Sequence, residues 1–189
     1  HLTFDDGPDP EVTPWVLDIL AQHGAKATFF VVGDQAAKHP DVLEAVQAAG
    51  HSVGGHTMQH ERGWGTETTR YVQSALASIV GLQPLFRPPY GKMTPAQARH
   101  IGTHADLIMW DVLSGDFALD VQDLREVSLA QVRLQRRTKP GSVVVFHDSA
   151  KHAEGLKALL PDYLAWLTQK GTPMRAISPC PTRRLREEA

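Results

Sequence analysis

Short apolar runs alternate with segments of helical spacing along most of this chain. Apolar runs of strand length stand at 1–4, 27–33, 51–54, 85–86, 107–112, 142–147 and 174–177. Apolar residues recur at helical spacing from Trp15 to Leu20, and Gly24 follows as a C′ glycine. The pattern predicts further helices at 40–49, 66–80, 121–137 and 155–170, the last with Pro161 as a candidate break, and another from Thr94.

Strands that alternate with helices are typical of a parallel sheet in an α/β fold. A full eight-unit barrel usually needs about 250 residues, whereas this chain has 189. We therefore predict a shortened, irregular (β/α) barrel with about seven parallel strands, and an open doubly wound sheet is the competing fold. Residues 1–178 are expected to form one domain, followed by a charged tail at 179–189.

Composition and charge exclude several classes of function. The chain is 42% hydrophobic and 21% charged, as expected for a soluble globular protein. Its net charge of −2 gives no electrostatic basis for binding nucleic acid or an anionic membrane. No apolar stretch is long enough to span a bilayer, and the single Cys180 cannot form an internal disulfide. Because the chain begins at His1, almost inside a motif, we expect a segment to be missing at the N-terminus.

Reactive side chains follow the carboxyl ends of several predicted strands. In barrels and open sheets alike, this edge carries the functional site. The side chains are Asp5, Asp6, His56, Arg87, Asp116 and His147.

Two histidines and two aspartates have the composition of a metal centre. His56 and His60 are four residues apart, so in helical or turn-like backbone both imidazoles could reach one ion. A carboxylate would complete the His₂–Asp set of catalytic zinc centres. Adjacent Asp5 and Asp6 repel each other unless a cation is present; one could bind the metal while the other accepts a proton from water. Taken alone, a pair of histidines at this spacing is more often a pair of surface histidines in a loop.

Five short motifs stand in order along the chain. They are TFDDGP (3–8), HSVGGHTMQH (51–60), RPPYG (87–91), DF (116–117) and VFHD (145–148). Together they resemble the motifs of the NodB-homology polysaccharide deacetylases, carbohydrate esterase family 4. The resemblance extends from residue 2 to about residue 178.

The resemblance implies a role for each residue of the metal and base motifs. Asp5 corresponds to the catalytic base, and Arg87 to the arginine that holds that base by a charge-assisted hydrogen bond. Asp6, His56 and His60 correspond to the metal ligands. The implied ion is Zn²⁺, with Co²⁺ or another divalent metal as an alternative.

The resemblance likewise implies roles for the general acid, the oxyanion donor and the acetyl pocket. His147 corresponds to the general acid and Asp116 to the carboxylate that tunes it. Tyr90 lies where the family's tyrosine donates a backbone N–H to the oxyanion. Phe117 and Val145 fall at positions that line the acetyl-methyl pocket, although the family often has Trp and Leu there.

Other polar and aromatic residues have simpler interpretations. Trp64, just after the metal motif, is a candidate for stacking on a sugar ring, with packing as the alternative. We assign His51, His104 and His152 to structure or surface, and Asp148 to structure.

The implied function is a metal-dependent hydrolase that removes N-acetyl groups from a GlcNAc-containing polysaccharide: peptidoglycan, a chitin-type glycan or an exopolysaccharide. An O-acetyl esterase of the acetylxylan type is the main alternative. A non-catalytic carbohydrate- or metal-binding domain and an amidohydrolase for small cyclic amides are further alternatives. Since such polymers lie outside the cytoplasm, we expect an extracytoplasmic location, secreted or in the cell envelope.

Overall fold

A seven-stranded parallel sheet is the frame of the fold. The computed structural model describes residues 1–181, and within them every strand pairing is parallel. The sheet order is β5-β4-β3-β2-β1-β7-β6. The strands are β1 (Leu2–Asp5), β2 (Ala27–Val31), β3 (Ser52–Gly55), β4 (Leu85–Phe86), β5 (Asp106–Leu107), β6 (Val112–Leu113) and β7 (Val144–His147).

Seven α-helices lie within the same range, six of them between successive strands and α7 after the last strand. They are α1 (Val12–Gln22), α2 (Gly33–Lys38), α3 (Pro40–Ala48), α4 (Thr68–Ala77), α5 (Pro95–Ile101), α6 (Leu124–Arg137) and α7 (Ala153–Gln169). α7 runs through Pro161 without a break. No helix among residues 1–181 is long and apolar enough to cross a membrane. Most of the predicted charged tail, residues 182–189, lies outside the described residues.

The connection between β5 and β6 requires the sheet to curl. These strands occupy opposite edges, yet only residues 108–111 join them. In a flat sheet the two edges would be about 29 Å apart, because six strand spacings of about 4.8 Å separate them. The five residue steps from Leu107 to Val112 span at most about 18 Å. The sheet is therefore a curled half-barrel, which confirms the predicted barrel over the open doubly wound sheet.

Two predicted strands are wrong in detail. The apolar run 107–112 is not one strand: its ends belong to β5 and β6, on opposite sheet edges. No strand forms at 174–177, where the backbone makes isolated contacts instead of a ladder. Lys26 N–H donates to the Met174 carbonyl at 3.0 Å, and Ile177 N–H donates to Thr28 Oγ1 at 2.8 Å.

The two faces of the sheet have different chemistry. Phe4, Phe29 and Phe146 are buried on the helix-covered face, with ring centroids 5.0 and 5.9 Å apart. Because successive strand residues point to opposite faces, Thr3 and Asp5 of β1 point to the barrel interior. The interior therefore carries polar side chains that open to the carboxyl edge of the strands.

Candidate metal centre and active site

The carboxyl ends of the strands surround a cavity of about 460 Å³. Most of the predicted site residues line it. A larger cavity, of about 870 Å³, lies around His1, Pro140 and Trp166 and contains none of them. The smaller cavity is lined by Asp5, Asp6, His56, His60, Tyr90, Lys92, Trp110, Leu113, Phe117, His147, Ser149, Lys151 and His152.

Asp6, His56 and His60 bring one ligand atom each to a common point. All three atoms lie within 4.8 Å of one another. Asp6 Oδ1 is 3.6 Å from His56 Nε2 and 3.1 Å from His60 Nε2. His56 Nδ1 lies 2.7 Å from the Arg87 carbonyl; since a carbonyl only accepts, Nδ1 carries the proton and Nε2 is free to bind a metal. Burial lowers the pKa of His56, which favours this neutral form.

The environment of Asp6 fits a divalent cation. Its Oδ1 is buried and has no hydrogen-bond partner among residues 1–181, so an ion there would satisfy it. Burial alone would raise the pKa of Asp6, but contact with His60 and the charges of both imidazoles hold it below its usual range. One carboxylate oxygen and two imidazole nitrogens form a donor set that suits Zn²⁺.

Backbone conformation at this site is unusual. Asp6 has φ 82° and His60 has φ 56°, a left-handed region that residues other than glycine rarely occupy. Such strain tends to concentrate at functional sites, where the surrounding structure holds it in place. Asp148, almost fully buried, supports the turn after Asp6: its carboxylate accepts from Gly7 N–H at 3.2 Å and from the Thr13 hydroxyl at 2.6 Å. This confirms the structural assignment of Asp148.

Arg87 orients Asp5 as predicted. The guanidinium is fully buried, and its Nη1 donates to Asp5 Oδ1 at 2.8 Å and to Thr3 Oγ1 at 2.7 Å. The Phe30 ring lies against it, 4.2 Å from Cζ. Because Oδ1 binds Arg87, Asp5 Oδ2 faces the candidate metal ligands and lies 4.0 Å from His56 Nε2.

Arg87 also binds the segment that joins the two sheet edges. Its Nε donates to the Ile108 carbonyl at 3.0 Å, and Nη2 lies 3.4 Å from the Met109 carbonyl. The Trp110 ring lies 5.5 Å from Cζ. Burial lowers the pKa of Arg87 and the Asp5 charge opposes this, so the group remains a cation. One side chain thus contacts both Asp5 and the segment that closes the sheet.

His147 and Asp116 form the predicted pair. His147 Nδ1 lies 2.9 Å from Asp116 Oδ1, and the His147 backbone N–H donates to Oδ2 at 2.8 Å. The Ser114 hydroxyl also donates to Oδ1, at 2.8 Å. Burial opposes protonation of His147, but the hydrogen bond and charge of Asp116, with the charges of Asp5 and Asp6, raise the pKa of His147 to about 9. The imidazole is therefore protonated at neutral pH, with Nε2 left for the cavity.

Two predicted pocket residues line the cavity. Tyr90 is 52% exposed, has φ 59°, and its ring centroid lies 4.7 Å from that of His60. Phe117 makes an edge-to-face contact with His147, with centroids 5.4 Å apart.

The other two predicted substrate residues lie outside the cavity lining. Val145 is 1% exposed and shares the inner face of β7 with His147; Leu113, its register partner on β6, lines the cavity instead. Trp64 is 58% exposed, and the Nζ of Lys92, a lining residue, is 5.5 Å from its ring. Trp64 therefore lies outside the cavity, next to the lining residue Lys92.

One histidine that was not a candidate for the site lies in the cavity. His152, assigned to structure or surface, lines the cavity, with its ring centroid 5.3 Å from that of His147 and its Nε2 3.9 Å from Asp6 Oδ2. Its place in the loop after β7 was the available signal, because that loop lies at the carboxyl edge.

His51 is structural as predicted: it is buried, its Nδ1 accepts from Ala27 N–H at 3.1 Å, and burial lowers its pKa to about 4.

Comparison with known proteins gives consistent matches. Residues 1–107 match the family model described as Polysaccharide deacetylase. A peptidoglycan-N-acetylglucosamine deacetylase of Bacillus cereus is 32% identical over 180 residues, 90% of this chain and 63% of that protein. A chitooligosaccharide deacetylase of Bradyrhizobium sp. is 38% identical over 161 residues, 78% of this chain and 69% of that protein. The structure of a family 4 carbohydrate esterase from Streptomyces lividans, in complex with acetate, superposes with a TM-score of 0.78 at 28% identity, covering 95% of this chain and 96% of the other. This chain therefore spans less than two thirds of the length of the Bacillus relative.

Proposed function

The chain belongs to the polysaccharide deacetylase family, and we propose that it is a metal-dependent hydrolase that removes N-acetyl groups from a GlcNAc-containing polysaccharide. One observation carries the proposal: a carboxylate held by Arg87 and a protonated imidazole held by Asp116 line the same cavity as the Asp–His–His group. Amide hydrolysis needs this combination of a base for water and an acid for the amine.

Asp5 and the residues that would hold a metal ion serve the water side of the reaction. A divalent cation such as Zn²⁺, held by Asp6, His56 and His60, would polarise the amide carbonyl and lower the pKa of water. Asp5 accepts the proton of the attacking water on Oδ2, because Arg87 occupies Oδ1. The buried ion pair with Arg87 keeps the carboxylate in place before the reaction.

The acid acts on the leaving group. An amine leaves poorly unless it is protonated, and His147 delivers a proton from Nε2 to the departing nitrogen. Asp116 holds the ring by Nδ1 and stabilises the imidazolium. The backbone N–H of Tyr90 is assigned to the oxyanion of the tetrahedral intermediate, where one donor is typically worth about 2.7–4 kcal/mol. The products are acetate and a free amine.

We propose that the apolar and aromatic residues around the cavity contact the substrate. Phe117, with Leu113 and the underlying Val145, would contact the acetyl methyl group. Trp64, exposed and held by its indole N–H to the Met93 carbonyl at 3.0 Å, would stack on a neighbouring sugar. Named relatives act on peptidoglycan and chitooligosaccharide, which supports an N-acetylated glycan as substrate. Such polymers lie outside the cytoplasm, so we place the protein there.

Acetate release tests the proposal. Zinc-loaded and chelator-stripped protein would be compared on chitin oligomers, peptidoglycan, acetylated xylan and a chromogenic acetyl ester, with Asp5→Asn as the inactive control. We expect zinc-dependent release from an N-acetylated glycan. Release from esters alone would replace the proposal with an O-acetyl esterase. Binding of glycan without any release would instead indicate a non-catalytic carbohydrate-binding domain.

A further inference from the structure

The two carboxylate oxygens of Asp6 face different imidazoles. Oδ1 faces His56 and His60, as described above. Oδ2 lies 3.9 Å from Nε2 of His152, which belongs to the short turn Ala150–His152 after β7. Nothing in the proposed reaction uses His152, although its side chain is only 12% exposed.

His152 is fixed relative to Asp6 by contacts between their two loops. Asp9, three residues after Asp6, accepts from Ala150 N–H on Oδ2 at 3.1 Å and from Val12 N–H on Oδ1 at 2.9 Å. The Asp148 contacts with Gly7 tie the same two loops a second time. The separation of the two side chains therefore follows from the fold rather than from a mobile surface loop.

Aromatic neighbours restrict the His152 ring further. The Phe117 ring stands edge-to-face to it at 6.4 Å, and the His147 ring lies at 5.3 Å on another side. His152 does not belong to the group whose ligand atoms all lie within 4.8 Å of one another. Its position is therefore that of a residue behind a ligand rather than that of a fourth ligand.

We propose that His152 is a positioning residue for the metal centre, whose Nε2–H donates to Asp6 Oδ2 and so keeps Oδ1 directed at the cation. The inference rests on the proposed metal site. A hydrogen bond needs about 2.7–3.2 Å, and the two atoms lie 3.9 Å apart, so binding of the cation would have to bring Asp6 Oδ2 and His152 Nε2 about 0.7–1.2 Å closer. Partners of this kind orient metal ligands, and their loss typically weakens metal affinity by about 10–100-fold.

Metal affinity tests the inference without relying on activity. Chelator-stripped protein would be titrated with Zn²⁺ and Co²⁺ in competition with a chromophoric chelator. His152→Leu removes the donor, His152→Gln retains an N–H donor of similar reach, and His100→Leu is the same change at an exposed position on α5. We expect His152→Leu to raise the Kd at least about 10-fold, whereas His152→Gln and His100→Leu stay close to wild type.

Every other outcome contradicts either the positioning role of His152 or the metal centre itself. An unchanged Kd in His152→Leu would overturn the positioning role. Equal loss in His152→Gln and His152→Leu would make His152 a direct ligand and also overturn it. If wild-type protein bound neither ion, the metal centre itself would be refuted, and this inference with it. Circular dichroism would confirm folding, and His152→Phe, which keeps a ring beside Phe117, would replace His152→Leu if that variant did not fold.

Discussion

Replacing Asp116 with asparagine should move the pH dependence of the reaction. The substitution keeps the shape of the side chain but removes its charge. Asp116 Oδ1 accepts from His147 Nδ1 at 2.9 Å, and Oδ2 accepts from the His147 backbone at 2.8 Å. An asparagine can retain one of these contacts as an acceptor, so the loss falls on the imidazolium rather than on the fold.

The expected magnitude comes from the pKa of His147. Asp116 is the main group that raises this pKa from 6.5 to about 9, and burial, which lowers it, remains in the variant. The difference corresponds to about 3 kcal/mol in favour of the protonated ring, at 1.36 kcal/mol per pKa unit. With the His147 pKa back at the ordinary 6.5, the protonated fraction at pH 7.5 would fall from about 0.97 to about 0.09, and burial would lower it further, so we predict a loss of acid catalysis of about tenfold or more.

The assay is kcat/KM for acetate release between pH 5.5 and 10. Wild-type activity should decline as pH rises through about 9, whereas Asp116→Asn should decline from about 6.5, with a small difference at pH 5.5. Because protonation of His147 favours the native state, wild-type stability should also fall as pH rises from 6.5 through 9, and this fall should shrink in the variant. Asp120→Asn, an exposed aspartate four residues away, is the matched control. An unchanged alkaline limb in Asp116→Asn would refute the assignment of His147 as the acid.

Four further substitutions separate the roles of the site. Asp6→Ala should abolish metal binding and activity together. Asp5→Asn should keep the metal in a competition titration and lose acetate release. Loss of metal in Asp5→Asn would contradict the separate roles of the two aspartates. Arg87→Met removes the partner of the buried Asp5 charge and should lower the free energy of unfolding, measured by urea denaturation, by about 3–5 kcal/mol. A change within about 1 kcal/mol, roughly the value of an exposed ion pair, would contradict the burial of this pair. Trp64→Ala should raise KM for GlcNAc oligomers by about 2–10-fold, the equivalent of 0.5–1.5 kcal/mol of stacking, and leave a small acetyl ester unaffected; equal effects on both substrates would exclude a sugar contact.

Sequence was sufficient for most of the site because parallel strands deliver their carboxyl ends to one edge. Asp5, His56, Arg87 and His147 each follow a short apolar run, and pairing of those runs in parallel brings the four side chains together. The alternation of strands and helices was enough to predict this grouping, whereas the role of each residue came from the resemblance of the five motifs to a known family.

The errors concern contacts that an apolar pattern does not encode. The run 107–112 has the length of one strand, but its first residue pairs with β4 and its last with β7. Hydrophobicity reports that a segment is buried, not which strand it will meet. His152 was missed for a similar reason: its neighbours, Asp6 and His147, come from other elements, and its place in the loop after β7 was the only sign of them in the local sequence.

The closure of the sheet and the chemistry of the site depend on one side chain. Arg87 binds Asp5 through Nη1, and the segment that carries the chain from one sheet edge to the other accepts from its Nε through Ile108. A fully buried guanidinium is costly unless its donors find acceptors, and here Asp5, Thr3 and this connecting segment supply them. Because burial of Arg87 requires both partners, a sequence change that displaced residues 108–111 would also release Asp5 from its position. We therefore expect substitutions in this segment, although it contains no catalytic group, to lower kcat as well as stability.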